Sequence, residues 1–169
     1  RTYDSLTLST RQVAYWGGVY GPLVDAGQYW RLLASNYLHF DLKHLAFNMT
    51  ALLLWGSSAS KRMDWYSFLL LYVVSGLAGS LAAYMTHPMA VSAGASGAIS
   101  GVLASLVVFR LFGDRTLSAS DLVGAVAFNA VYSAAMPSVD WQAHAGGFVA
   151  GAVVAVLYCV AHDRHVAPS

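Results

Sequence analysis

Residues 65–85 read WYSFLLLYVVSGLAGSLAAYM, twenty-one consecutive positions without a charged side chain. A helix rises about 1.5 Å per residue, so such a run covers the roughly 30 Å hydrocarbon core of a bilayer. Outward from it, four further stretches approach the spanning length, at 42–60, 94–112, 121–136 and 141–161. Those at 42–60 and 121–136 are short, and flanking polar residues fill the difference. The connectors are brief and carry the charges: Lys61, Arg62 and Asp64, then Asp114 and Arg115, then Asp140. Pro88 and Pro137 fall where a helix should stop. Trp55, Trp65, Tyr66 and Trp141 sit near predicted span ends, as interfacial aromatics do. No alternating ten-residue barrel pattern is present, so the fold class is all-α, a polytopic helical membrane bundle with five spans.

Composition agrees. Hydrophobic residues make up 57% of the chain and charged ones 10%, against roughly 45–50% and about 25% in soluble domains. The net charge is +1, with no basic patch and no Gly-rich phosphate loop, which argues against nucleic-acid and nucleotide partners. The single Cys159 excludes an internal disulfide and reads as small apolar filler.

Lys61, Arg62, Arg110, Arg115 and Arg164 mark cytoplasmic ends by the positive-inside rule, because loops 86–93 and 137–140 have no Lys or Arg. The tail, 163–169, is then cytoplasmic. Region 1–41 is extracytoplasmic, despite Arg1, Arg11 and Arg31. Carrying that region across calls for a sixth span ahead of it, and a chain that starts at Arg1 reads as an excised piece. Within it, 12–41 mixes Tyr15, Trp16, Tyr20, Tyr29, Trp30 and Tyr37 with four glycines, which predicts a structured lobe in the membrane interface.

Polar groups inside spans are costly and therefore candidates for function. Gly94-Ala95-Ser96-Gly97 opens the third span. A serine there lies beside unpaired backbone N–H groups and the positive helix end, which would stabilise an oxyanion on a carbonyl it attacks. The plain alternative is an N-cap serine in a Gly-rich turn. Ala143-His144-Ala145-Gly146-Gly147 opens the last span, where His144 could serve as general base or as a hydrogen-bonded interfacial histidine. Gly97 and Gly101 are four apart, as are Gly147 and Gly151, so both helices offer a small face for close packing. That approach would bring the Ser96 hydroxyl and the His144 imidazole together. His39 and His44 lead into the first span, where His44 and Asn48, spaced i, i+4, share a face and could aim two donors at one spot. No metal site is expected, because zinc hydrolase motifs of the His-Glu-x-x-His kind need a Glu and the chain has none. No Asp is placed to orient His144 well, Asp140 being a weak candidate, so a Ser–His dyad is predicted.

In order and span position, these groups together resemble the rhomboid family of intramembrane serine proteases. The likeness runs over Trp30-Arg31, the His39/His44/Asn48 set, Gly94-Ala95-Ser96-Gly97, and Ala143-His144 with Gly147 and Gly151. It implies Ser96 as nucleophile, His144 as base, and His44, Asn48 and the Ser96 N–H as oxyanion hole. It implies a supporting role for Trp30-Arg31 in an interfacial loop. It also implies a six-helix core and a water-filled cavity opening extracytoplasmically, in a bacterial inner membrane. The substrates would be transmembrane segments of other proteins, with no cofactor. A non-catalytic rhomboid-like protein that binds or escorts such segments is the alternative. Ser100 stands where many relatives carry an aromatic that packs on the catalytic imidazole, so orientation of His144 rests on other neighbours. Leu111-Phe112-Gly113-Asp114 superficially matches the Gly-x-Gly-Asp of aspartyl intramembrane proteases. It lacks the first Gly and a partner Asp, so Asp114 reads as a loop charge.

Overall fold

A computed structural model describes residues 7–135 and 140–162. Met136, the expected stop at Pro137 and the expected tail 163–169 lie outside the described residues. The described residues form helices joined by turns, with isolated bridges at Thr7–Asp41 and Val19–Ser92 and no strand.

The aromatic-rich region is a lobe of short helices: α1 (Thr10–Trp16), α2 (Gly21–Asp25) and α3 (Arg31–Ala34), closed by a 3₁₀ turn at Ser35–Tyr37. A capping box starts α1, with Ser9 and Gln12 each accepting from the other's backbone N–H. Trp30 lies against Gly17, where φ is +124° and a Cβ would stand 2.7 Å from the indole ring. Arg31 is 4% exposed, and its guanidinium donates to Gln28 Oε1 at 2.8 Å and to the carbonyls of Ala14 and Gly18 at 2.5 and 3.1 Å. Trp30 and Arg31 therefore tie α3 to the end of α1, as a charge can be buried only when its donors are satisfied.

The longer helices follow. α4 (Leu42–Ala51) runs on through a π-helical turn at Leu52–Gly56 into α5 (Ser57–Ala59). α6 covers Trp65–Thr86, α7 Ser96–Leu111, α8 Ala119–Ala135 and α9 Trp141–Ala161. Asp41, Asp64 and Asp140 cap α4, α6 and α9 by accepting the N–H of His44, Ser67 and Ala143 at 2.8, 3.0 and 3.1 Å. α6 and α9 are long and apolar enough to cross a membrane, and α7 and most of α8 are shorter apolar helices.

Small residues decide how these helices meet. A Cβ on Gly79 of α6 would lie 2.7 Å from the Ala143 carbonyl and 3.2 Å from the Gly97 Cα. On α9, a Cβ at Gly147 would overlap the Gly97 carbonyl, and one at Gly151 the Gly101 backbone. Backbone-to-backbone approach therefore packs α6, α7 and α9 against one another, and α7 is buried from Gly97 to Leu106. The exterior is as apolar as the core: Leu53 and Leu157 are 73% and 63% exposed, while Ser75, Ser100 and Ser105 are fully buried beside Leu71, Val102 and Leu103. Such an apolar exterior suits lipid as its solvent. Val123, Phe128 and Val131 of α8 are also exposed, making it the peripheral helix.

The two ends of the bundle differ. At one, Arg62 Nε pairs with Asp114 Oδ2 at 2.6 Å and Nη2 donates to Thr116 Oγ1 at 2.8 Å, joining the turns after α5 and α7. At the other, the 86–95 segment is stitched to the lobe. Gly21 N donates to Pro88 O (2.7 Å), Val19 and Ser92 exchange backbone bonds, and Gly94 N donates to Ser35 O (2.9 Å). The start of α7 is thereby fixed from the lobe side.

Candidate active site

Gly94 turns the chain into α7 with φ +133°, and its Cα abuts the His44 ring: a Cβ would lie 2.8 Å from both Cε1 and Nε2. Ser96, expected either at the cap or in the helix, is the first helical residue, and Ala95 holds the cap position. Among the described residues no side chain caps α7, in contrast to the Asp caps of α4, α6 and α9. Its first-turn N–H groups are those a helix leaves without an internal partner. Ser96 is only half-buried, whereas Ala95 and Gly97 beside it are buried, so its side chain has an open side.

His39 and His44 meet edge to face with ring centroids 5.0 Å apart, and Phe40 stacks on His44. His39 Nε2 accepts the Ala95 N–H at 3.5 Å. Burial, and then the neighbouring His44, push the His39 imidazole down to about 4, with Asp41 opposing. A neutral ring is what accepting that N–H requires. One turn along α4, the buried Asn48 gives one amide hydrogen to the His44 carbonyl at 2.8 Å, and the other has no partner among the described residues.

His144 is 7% exposed on the first turn of α9. Among the described residues, its ring hydrogen bond joins Nδ1 and Ser133 Oγ, 2.5 Å apart, and does not involve Ser96. Asp140, the weak candidate for orienting it, is used instead as the helix cap. Catalytic hydrogen bonds are commonly long before substrate binds, so the open Ser96–His144 pair is compatible with a dyad. Ser96, His144, His44, Asn48 and Gly94 line one cavity of about 370 Å³, which also reaches Phe128 and Asn129 of α8. Of the other predicted residues, Gly97 reaches the cavity wall. His39 stands behind it, Gly147 sets the spacing between α7 and α9, and Trp30 and Arg31 sit in the lobe. Among the described residues no three His, Cys, Asp or Glu side chains converge as a metal site would require.

Residues 26–161 match the Rhomboid domain family. This chain belongs to the rhomboid family. It is 33% identical over 147 residues to Rhomboid protease GluP of Bacillus subtilis (strain 168), covering 85% of this chain and 29% of that protein. It is likewise 33% identical to RHOMBOID-like protein 4 and to RHOMBOID-like protein 5 of Arabidopsis thaliana, over 154 and 136 residues. Those alignments cover 88% and 76% of this chain and 38% and 44% of the relatives, so the rhomboid chain spans less than half the length of each. The family and the apolar helices make it an integral membrane protein.

Sequence reasoning passed over Asn129 and Ser133 on α8. Asn129 Nδ2 donates to Ser100 Oγ at 3.5 Å, and Ser133 holds His144. Their signal was available: polar residues spaced i, i+4 within an expected span lie on one face of its helix.

Proposed function

We propose that this rhomboid chain is the catalytic bundle of an intramembrane serine endopeptidase that cuts transmembrane segments of other membrane proteins. The observation that carries the reading is the shared cavity: Ser96 at the uncapped start of α7, with His144, His44 and Asn48 around it. A locally unwound substrate segment enters from the bilayer. Ser96 Oγ attacks the scissile carbonyl carbon as His144 takes its proton, and the oxyanion is held by the Ser96 N–H, the free Asn48 amide hydrogen and His44. The imidazolium returns the proton to the leaving amine. Water, deprotonated by the same imidazole, then releases the acyl group and restores Ser96.

We place the helices at 42–59, 65–86, 96–111, 119–135 and 141–161 across a membrane, in bacteria the inner one. The Arg62–Asp114 end faces the cytoplasm and the cavity opens on the other face. Joining of the two basic turns at one end supports that orientation.

Fluorophosphonate labelling of the detergent-solubilised protein tests the mechanism, with Ser96→Ala and His144→Ala beside the wild type. Labelling lost in both variants, with folding kept, is the expected result. A folded wild type that stays unlabelled would leave the escort reading, in which transmembrane segments are bound and not cut.

A further inference from the structure

We infer that Ser133 is a positioning residue that selects the working tautomer of His144, an assignment that rests on the Ser–His reading above. The Ser133 hydroxyl has one proton and two close partners, the Asn129 carbonyl at 2.6 Å and His144 Nδ1 at 2.5 Å. A carbonyl oxygen can only accept, so the hydroxyl proton is committed to Asn129. Were that proton turned to Nδ1 instead, the Ser133 and Asn129 oxygens would face each other with lone pairs only. Ser133 Oγ must therefore accept, and Nδ1 must carry the imidazole hydrogen. That leaves Nε2 as the ring nitrogen with a free lone pair, available to take the Ser96 proton.

The surroundings leave few other partners. Ser133 and His144 border a second cavity of about 340 Å³ between α8 and α9, whose wall apart from Asn129 and Trp141 is apolar, with Val126, Ala130, Phe148 and Val149. None of those apolar side chains can hydrogen-bond. Ser133 is 6% exposed, so water competes poorly for the bond. Ser100 occupies the place one turn after Ser96, and through Asn129 Nδ2 it ties α8 to α7. An aromatic ring there would restrain the imidazole by stacking; in this chain a chain of hydrogen bonds from α7 through α8 to α9 restrains it. When Nε2 takes the Ser96 proton, Nδ1–H stays on Ser133 and the new positive charge faces a fixed neutral acceptor.

The test is nitrogen NMR of ¹⁵N-histidine-labelled protein in detergent at neutral pH, with His144→Gln to assign the signal. The wild type should show His144 protonated at Nδ1. Ser133→Ala should move the ring toward an Nε2–H or mixed state. It should also slow fluorophosphonate labelling roughly 10–100-fold, less than the about 10⁴-fold cost of a wrong tautomer beside a buried carboxylate. Ser133→Thr keeps the hydroxyl and should restore both readouts. A wild-type His144 found as the Nε2–H tautomer would overturn the assignment whatever the variants do. So would a Ser133→Ala protein whose tautomer and labelling rate are unchanged. If the wild type never labels, the protease reading fails, and the tautomer signal still decides whether Ser133 holds the ring.

Discussion

A methyl group added at Gly94 would meet the His44 ring at 2.8 Å, at a φ of +133° that side chains rarely adopt. Gly94→Ala should therefore cost about 1–3 kcal/mol in backbone strain and displace His44. Thermal unfolding in detergent and labelling rate should both decline, and an unchanged rate would remove His44 from the site. Asn48→Ala removes one proposed oxyanion donor and should slow turnover roughly 10²–10³-fold. Loss of Ser96 should cost more; a substrate-cleavage assay that found the two equal would point to misfolding. His39 titrates differently from a free histidine. Its native value lies near 4 while the unfolded ring titrates near 6.5, so between those values the unfolded chain binds the extra proton. Stability should thus fall as pH drops through that window. His39→Gln, which keeps an acceptor for the Ala95 N–H but cannot titrate, should give a shallower thermal midpoint-versus-pH slope. An identical slope would contradict the assignment.

At the level of elements, glycines distinguish the inner from the outer helices. Gly151 on α9 would drive a Cβ into the Gly101 backbone, whereas a Cβ on Gly124 of α8 meets nothing within 4 Å. Gly151→Ala should destabilise by about 1–3 kcal/mol, since backbone cannot yield as a side chain does. Gly124→Ala should be neutral or stabilising by up to about 1 kcal/mol through helix propensity. Unfolding titrations of the two variants should therefore separate in sign, and matching losses would disprove the close α7–α9 packing. Periodic small residues at 97, 101, 147 and 151 expose this packing in the sequence because only Gly permits such approach. The role of α8 was half legible: the i, i+4 spacing puts Asn129 and Ser133 on one face, but only docking shows that this face meets α7 and α9.

Across the whole molecule, Arg62–Asp114 gathers the basic turns at one end, while the lobe covers the other. Cysteines placed one at a time at Met89 and at Leu111, 71% and 74% exposed, report the topology. A membrane-impermeant maleimide added outside intact cells should modify the cysteine at position 89 and spare that at 111. The reverse pattern would invert the proposed orientation. Native Cys159, fully buried, should stay unmodified in both.

The sequence by itself determined an all-helical membrane bundle, because a long apolar run in lipid can satisfy its backbone only as a helix. It also singled out Ser96, His144, His44 and Asn48, since polar groups at such places are too costly to be casual. Only the tertiary structure decided that these residues, drawn from three helices far apart in the chain, border one cavity. It alone decided that His144 Nδ1 meets Ser133. Hydrophobic periodicity identifies a helix, but the azimuth at which it docks depends on side chains of its neighbours, and an imidazole's tautomer depends on whichever acceptor that docking delivers.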